Sequence, residues 1–333
     1  MKVEQIRKDS YVDEYVRLHV ADVEDILSHT SDFVEVACPA DGEREHLWRF
    51  DKSGFRFVEC ISCGTLYINP RPKSDLLDEF YSSAQSFALF NNKIFPASED
   101  SRREYIFAPR AQTVVELCKQ HLTESPGTLL DVGAGFGTFC EEVQKLQFFS
   151  KVVAVEPSKE LAETCRRKGL NVIEEMVENL QIEAADVVVS FELIEHLFSP
   201  RNFLLDCAKI ITRGGLLILT TPNIDGFDLK VLGPISENID GPEHLNYFHP
   251  KSLGLLVEQC GFEVLQSLTP GKLDAELVRK KALTGELDLS SQAFLNEILI
   301  KEWERVGPAF QQFLADQKLS SHMWLVARKK ETE

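Results

Sequence analysis

Positive charge is scarce in this 333-residue chain: 36 Lys and Arg stand against 53 Asp and Glu, a formal charge of −17. A nucleic-acid-binding surface needs clustered cations to neutralise phosphates, so the balance argues against that class of partner. Nowhere do about 18 apolar residues follow one another, which excludes a membrane-spanning helix. The opening MKVEQIRKDSYVDEYV lacks the apolar stretch of a secretory signal, and the expectation is a cytoplasmic protein. Internal repeats and low-complexity tracts are missing too. What is present is a globular composition, 44% hydrophobic with 22 Phe, enough for a sizeable core and incompatible with global disorder. The length suits two domains, or one larger domain with an appendage.

Eight cysteines in a reducing compartment are thiols or ligands rather than disulfides. Cys118, Cys140, Cys165, Cys207 and Cys260 are scattered singly in apolar segments and read as small buried hydrophobes. Cys38, Cys60 and Cys63 stand apart, because the last two form a C-x-x-C and the first lies close before them.

Apolar residues at helical spacing among acids predict an exposed amphipathic helix over 9–31. From Phe33 to Pro72 the texture turns to short β-like pieces, FVEVA, HLWRF, FRFVEC and TLYINP, separated by Gly- and Asp-containing turns. Helical segments are predicted around 74–83 and 102–122. From Thr128 the pattern alternates: TLLDV, VVAVE, DVVVSF and LLILTTP are strand-like, with amphipathic helical stretches between them. Apolar strands separated by helices predict an α/β fold with a parallel sheet covered on both faces. A loop-rich stretch runs from Pro222 to Pro250, SLGLLVEQCGFEVLQSLTP reads as helix, glycine stop and strand, 273–315 is largely helical, and SSHMWLVARKK closes the chain as a last strand.

The first of these strands, LLDV, runs directly into Gly133-Ala134-Gly135-Phe136-Gly137. Glycines there let the backbone approach a ligand at the carboxyl edge of the sheet, where open α/β sheets bind ligands. A dinucleotide fingerprint wants a third glycine where Thr138 stands. Asp131 is an acid at the tip of an apolar strand, either a ligand-site carboxylate or a cap for the following turn. Glu156, closing VVAVE, is placed to accept both hydroxyls of a ribose, or alternatively to cap the helix beside Ser158.

DVGAGFGTF, VVAVEPS, SFELIEHL and GGLLILTTPN occur in the order and spacing of class I S-adenosylmethionine-dependent methyltransferases, and the chain resembles that family over roughly 125–270. The resemblance implies a Rossmann-like seven-stranded sheet with helices on both faces, its last strand an antiparallel insertion supplied by SSHMWLVARK. It implies S-adenosylmethionine as cofactor, with Asp131 and Gly133 at the methionine part, Glu156 at the ribose, Phe191 and Glu192 beside the sulfonium, and Ala134, Gly135, Gly137 and Pro157 as further cofactor-binding residues. Where many relatives carry an acid for the adenine amino group, EEMVENL puts Met176 and Val177. The competing readings are a cofactor-binding regulatory protein without catalysis and, on the glycine loop alone, an NAD-dependent Rossmann enzyme.

Cys38-Pro-Ala-Asp41-Gly and Cys60-Ile-Ser-Cys63-Gly resemble the two knuckles of a zinc ribbon, with Asp41 in the fourth ligand position and His46 near enough in sequence to replace it. The resemblance implies a structural zinc, or a ribbon that kept its shape without metal. An N-terminal ribbon ending in TLYINPRP, joined to this core and to EHLNYF, is similar to sugar C-methyltransferases and to methyltransferases of polysaccharide or natural-product pathways. The domains that follow are an N-terminal helix (1–32), a zinc-ribbon-like module (33–73), a helical linker or lid (74–124) and the methyltransferase domain (125–333) with a helical insertion at about 273–315. The acceptor implied is a sugar, glycan or other polar small molecule, methylated on carbon or oxygen. His244 and Tyr247, in the loop DGPEHLNYFHP, are the candidates for general base or acceptor positioning, with Glu192 and His196 next. Arg103 and Arg110 are candidates for an anionic acceptor, or for a solvated helix face.

Overall fold

The structure, a computed structural model, describes residues 11–124 and 126–331. The expectations that touch 1–10, Ser125 and 332–333 lie outside the described residues: the start of the N-terminal helix, the boundary at 125 and the end of the last domain. Thirteen strands are described: β1 (Phe33–Val34), β2 (His46–Lys52), β3 (Phe55–Cys60), β4 (Leu66–Ile68), β5 (Arg71–Pro72), β6 (Thr128–Val132), β7 (Lys151–Val155), β8 (Asn171–Ile173), β9 (Ala185–Phe191), β10 (Ile211–Pro222), β11 (Asn246–Tyr247), β12 (Phe262–Leu268) and β13 (His322–Lys329).

Seven of them form the central sheet in the order β12-β13-β10-β9-β6-β7-β8. β6 to β10 are parallel to their neighbours, and β13 runs antiparallel between β10 and β12, with Leu219 opposite Leu325. The expected seven-stranded sheet and its antiparallel last strand are therefore observed. Successive residues of a strand point to opposite faces. Leu129, Val187, Leu216 and Ile218 accordingly pack beneath the helices Ala108–His121 and Thr138–Lys145. Leu130, Val188, Leu217 and Leu219 pack on the other face beneath Pro200–Ile210 and Pro250–Gln259. Burial on both faces is why these strands read as continuous apolar runs.

The β-rich module is not packed by itself. Its sheet has the order β11-β4-β3-β2, so its fourth strand, Asn246–Tyr247, comes from the loop-rich stretch after β10. Cys38, Ala40, Val58, Cys60 and Tyr67 share one core with Leu130 and Val188 of the central sheet. The helix Val12–Ser28 reaches the same loop, where His19 Nε2 lies 3.1 Å from Asp240 Oδ1.

The helical linker is longer than 102–122. After Ser74–Ser83, the α-helical stretches Gln85–Leu89, Phe95–Arg102 and Ala108–His121 are joined without a break by π turns at Phe90–Ile94 and Arg103–Phe107. Pro96 and Pro109 lie inside this continuous run, each two residues past the end of a π turn; each lacks the N–H that would bond the preceding turn, and the wider π turn accommodates it. Arg103 is tied to Glu99, Glu141 and Glu142 at 3.1, 2.8 and 2.5 Å, and so fastens this run to the helix after the glycine loop rather than facing an acceptor. The insertion near 273–315 is helical and has its own small core of Ala275, Val278, Leu289, Leu299 and Leu314.

Candidate active site

A cavity of about 970 Å³ opens at the carboxyl ends of β6, β7 and β9. Its size lies within the range of small-molecule sites. One wall is the glycine loop. Gly133, Gly135 and Gly137 all have positive φ, at +81°, +55° and +69°. The N–H groups of Gly133 and Ala134 both donate to Val155 O, which pins the loop over the end of β7. Beyond it, Glu156 accepts the Gly135 N–H on one carboxylate oxygen (2.8 Å) and the Ser158 N–H on the other (2.9 Å), leaving each oxygen a further lone pair. Asp131 is 2% exposed, and burial holds its carboxyl up to about 7 against the opposing pull of the Cys140 thiol and Arg110.

The opposite wall is aromatic. Tyr81 comes from Ser74–Ser83 and Phe90, Phe95, Tyr105 and Phe107 from the helical run, and both π turns contribute to the lining, as such turns often do at functional sites. Phe191 and Trp324 close the floor, and the Arg110 guanidinium lies 4.5 Å from the Phe191 ring centre.

Glu192 stands at the tip of β9 with φ +49°, a left-handed conformation unusual for a non-glycine residue and frequent at functional sites. It accepts a hydrogen bond from Thr220 Oγ1 at 2.5 Å and lies 3.0 Å from His322 Nε2 and 4.0 Å from an Arg110 guanidinium nitrogen. Burial opposes its ionisation, but His322, Arg110 and Thr220 outweigh that and hold the carboxyl down to about 2.

The expected cofactor residues Asp131, Gly133, Ala134, Gly135, Glu156, Pro157, Phe191 and Glu192 all line this cavity. Gly137, Met176 and Val177 do not. A Cβ on Gly137 would fall 2.4 Å from Leu170 Cδ1 and 2.8 Å from Cys165 Sγ, so its small size serves helix packing. Met176 is exposed and Val177 belongs to the core.

The expected acceptor loop is also corrected. Tyr247 is fully buried in β11, its hydroxyl accepting the Asp240 N–H at 2.8 Å, and it faces no ligand space. His244 Nδ1 donates to Asn238 O (3.0 Å) and His196 Nδ1 donates to Glu243 O (2.7 Å). Their rings lie 4.7 Å apart behind Tyr81, whose hydroxyl donates to the same Glu243 carbonyl. Glu195 and His196 lie in the turn after β9, and the helix that follows starts at Pro200 and is capped by Ser199. Glu195 is 1% exposed; its Oε1 makes no hydrogen bond among the described residues and lies 3.9 Å from His196 Nε2.

The module brings Cys38, Asp41, Cys60 and Cys63 together, their ligand atoms all within 4.8 Å of one another. Both knuckles have the same turn: Gly42 N–H donates to Cys38 O and Gly64 N–H to Cys60 O, each at 3.0 Å and each glycine with positive φ. His46 is outside the group, exposed, with Nδ1 on Arg44 O and its ring against Tyr67. The other five cysteines are buried free thiols, as expected.

An α/β sheet with a glycine loop, a ribose-height acid and a cavity at its carboxyl edge is a nucleoside-cofactor fold. Residues 102–267 match a family model described as a methyltransferase domain. The ubiquinone biosynthesis O-methyltransferase of Maricaulis maris is 34% identical over 118 residues, 32% of this chain and 45% of that protein. A probable S-adenosylmethionine-dependent methyltransferase of Mycolicibacterium smegmatis is 31% identical over 138 residues, 40% of this chain and 47% of that protein. The solved plantazolicin methyltransferase BpumL, in complex with a monoazolic desmethylPZN analog and SAH, superposes with a TM-score of 0.50 at 14% identity, over 77% of this chain and 94% of that one. That superposition speaks for the fold, and the chain spans less than half the length of the two curated relatives. The match assigns a methyltransferase domain to residues 102–267, and the superposition supports its α/β fold.

Sequence reasoning missed Tyr81, Thr220 and His322. Only His322 had a usable signal: it opens the strand already read as the antiparallel one, whose start must lie at the ligand edge of the sheet.

Proposed function

We propose that the chain is an S-adenosylmethionine-dependent methyltransferase acting on a small-molecule acceptor. The observation that carries the reading is one cavity of about 970 Å³ in which the glycine loop, Asp131 and Glu156 face an aromatic wall. The residues fit the cofactor: Gly135 has open space where a side chain would stand, Glu156 keeps lone pairs for two hydroxyls, and Asp131 is a buried acid with no cation bonded to it among the described residues. When bound, the cofactor supplies an electrophilic methyl group. The protein's part is alignment, exclusion of water and removal of the acceptor proton. Thr138 in place of the third fingerprint glycine disfavours NAD. No helix among the described residues is long and apolar enough to cross a membrane.

The acceptor we propose is a sugar, free or carried on a nucleotide or glycan, methylated on carbon or oxygen. The ribbon-bearing sugar enzymes support it, as does a cavity that pairs ring faces with Asn238, Lys272 and His322. A phenol is the second reading, favoured by the aromatic wall and by the names of the ubiquinone relatives. In either case His196 packs edge-on against Tyr81 at the cavity edge, and His244 packs on His196 behind it. A labelled-methyl transfer screen against nucleotide sugars, extracted glycans and catechols tests both acceptors, and transfer to none of them would sink the small-molecule reading.

Asp131 gives the cofactor site a pH dependence. Its carboxyl is protonated below about 7 in the free protein, and a bound cation favours the carboxylate. Binding therefore releases a proton in acid, and affinity for S-adenosylmethionine is expected to rise by up to about tenfold per pH unit towards 7 and then level. For the ligand-free protein the sign is opposite. The unfolded acid ionises near 4, so stability falls as pH rises from about 4 to 7. Calorimetry in buffers of different ionisation enthalpy reads the released proton; affinity flat from pH 5 to 7 would remove Asp131 from the site.

We also propose a structural zinc on Cys38, Asp41, Cys60 and Cys63. Tetrahedral ligation at about 2.3 Å puts sulfurs about 3.8 Å apart, and Cys38 Sγ to Cys63 Sγ is 3.5 Å, as is Cys60 Sγ to Asp41 Oδ1. Elemental analysis of untagged protein should find about one zinc per chain. Cys60→Ser should lower the melting temperature while cofactor affinity holds. Metal-free protein together with a silent Cys60→Ser would mean the knuckles persist without a metal.

A further inference from the structure

His322 opens β13, the strand that runs against the direction of its neighbours, so its first residue lies at the same sheet edge as the last residues of β9 and β10. Its register partner is Pro222, the last residue of β10. The side chain lines the cavity and is 33% exposed there. Its Nε2 lies 3.0 Å from Glu192 Oε1. A carboxylate only accepts, so Nε2 carries the proton, and the neutral ring then has a lone pair on Nδ1. No described residue bonds Nδ1. Glu192 in turn is fixed by the Thr220 hydroxyl and by its left-handed backbone at the tip of β9. The arrangement is that of a carboxylate orienting an imidazole so that its second nitrogen can take a proton.

We propose that His322, oriented by Glu192, is the base that takes the acceptor's proton during methyl transfer. The inference rests on the methyltransferase reading and adds a residue to it. In the step, the acceptor O–H or C–H bond breaks and its electron pair forms the new bond to the methyl carbon. The donor's carbon–sulfur bond opens with its pair left on sulfur, and the proton ends on His322 Nδ1. The imidazolium so formed sits against the Glu192 carboxylate, which stabilises it. His196 and His244 are less suited to proton removal because neither lines the cavity: their Nδ1–H bonds to Glu243 O and Asn238 O hold both rings behind Tyr81. The charged groups around the dyad are Glu192 itself, Arg110 from the helix Ala108–His121, Asp131 from β6, and Lys272 and Asp274 from the start of the helical insertion. Asp274 is already bonded to Ser320 and Ser321.

The test has two arms on the full chain. In protein labelled with ¹⁵N-histidine and saturated with S-adenosylhomocysteine, His322 is expected as the Nε2–H tautomer with bare Nδ1 at pH 8. Its signals are assigned by their loss in His322→Gln, and Glu192→Gln should change them. An Nδ1–H tautomer, or signals indifferent to Glu192→Gln, overturns the proposal. In the second arm, with the acceptor that the labelled-methyl screen returns, His322→Gln should lower kcat by roughly 10²–10⁴-fold with cofactor affinity unchanged, and the acid limb of the kcat profile should vanish. Turnover within about tenfold of wild type overturns it. Calorimetry with S-adenosylhomocysteine on the same samples separates the layers. Binding with the wrong tautomer overturns the dyad alone; no binding overturns the methyltransferase reading and the dyad with it.

Discussion

Gly133→Val is expected to weaken binding of S-adenosylhomocysteine by about 10²-fold or more. Gly133 sits at φ +81°, a region a β-branched residue avoids. Its N–H is anchored on Val155 O at 2.9 Å, so the loop cannot rotate to a comfortable φ without giving up that bond. An added Cβ also falls 3.0 Å from Leu193 Cδ2, a side chain able to yield slightly. Backbone strain of about 1–3 kcal/mol is the larger effect, and the loop relieves it by moving into the cavity, where the cofactor would lie. At about 1.4 kcal/mol per decade, 3 kcal/mol is roughly 10² in affinity before any direct clash. Gly137→Val is the control. Its Cβ would strike Leu170 and Cys165 in the packed interior, so it should lower stability first. Calorimetry and thermal melts on the two variants distinguish a binding glycine from a packing glycine, and unchanged affinity in Gly133→Val would take the loop out of the cofactor site.

That contrast shows what a contiguous motif can and cannot reveal. Asp131, Gly133, Gly135 and Glu156 were legible because strand, loop and next strand tip are local in sequence, and a parallel sheet buried on both faces writes its strands as apolar runs. Gly137 looked the same as its neighbours, yet its reason is Leu170 and Cys165, far along the chain. Tyr247 looked like an acceptor residue in a polar loop. In fact Leu245, Tyr247 and Phe248 are all fully buried, because this loop completes the module's sheet and fills the space between it and the core. The helical run from 85 to 101 was illegible for a different reason. Phe87, Phe90 and Phe95 line the cavity, and two π turns shift the helical phase, so no single 3.6-residue stripe survives. His322, Arg110 and Tyr81 meet Glu192 and the histidine pair only through tertiary structure, which no local spacing encodes.

The join between module and core rests on a buried cation, and Arg71→Ala is expected to cost about 3–5 kcal/mol of stability. Arg71 is 1% exposed in β5. Its Nε donates to Ile68 O within the module, and one guanidinium nitrogen donates to Asn246 Oδ1 in β11 and to Phe198 O after β9. Asn246 passes the connection on, its amide donating to Leu197 O at 2.8 Å. No carboxylate among the described residues pairs with Arg71, and burial holds its guanidinium down to about 10. Two effects compete when the side chain is removed. Losing a buried charge relieves a desolvation cost, which is why such groups are often replaceable by apolar ones. Against that, three acceptors lose their donor, each at about 1–3 kcal/mol, and Ala leaves a void where a long side chain had been. Truncation should therefore be costly, whereas Arg71→Met, which fills the volume and removes the charge, should lose much less. Urea unfolding of the two variants reads the difference directly. Arg71 lines no part of the cavity, so cofactor affinity of the folded fraction should stay at the wild-type value. A loss below about 1 kcal/mol in Arg71→Ala would show that the apolar core shared by Tyr67, Leu130 and Val188 holds the module in place without the cation.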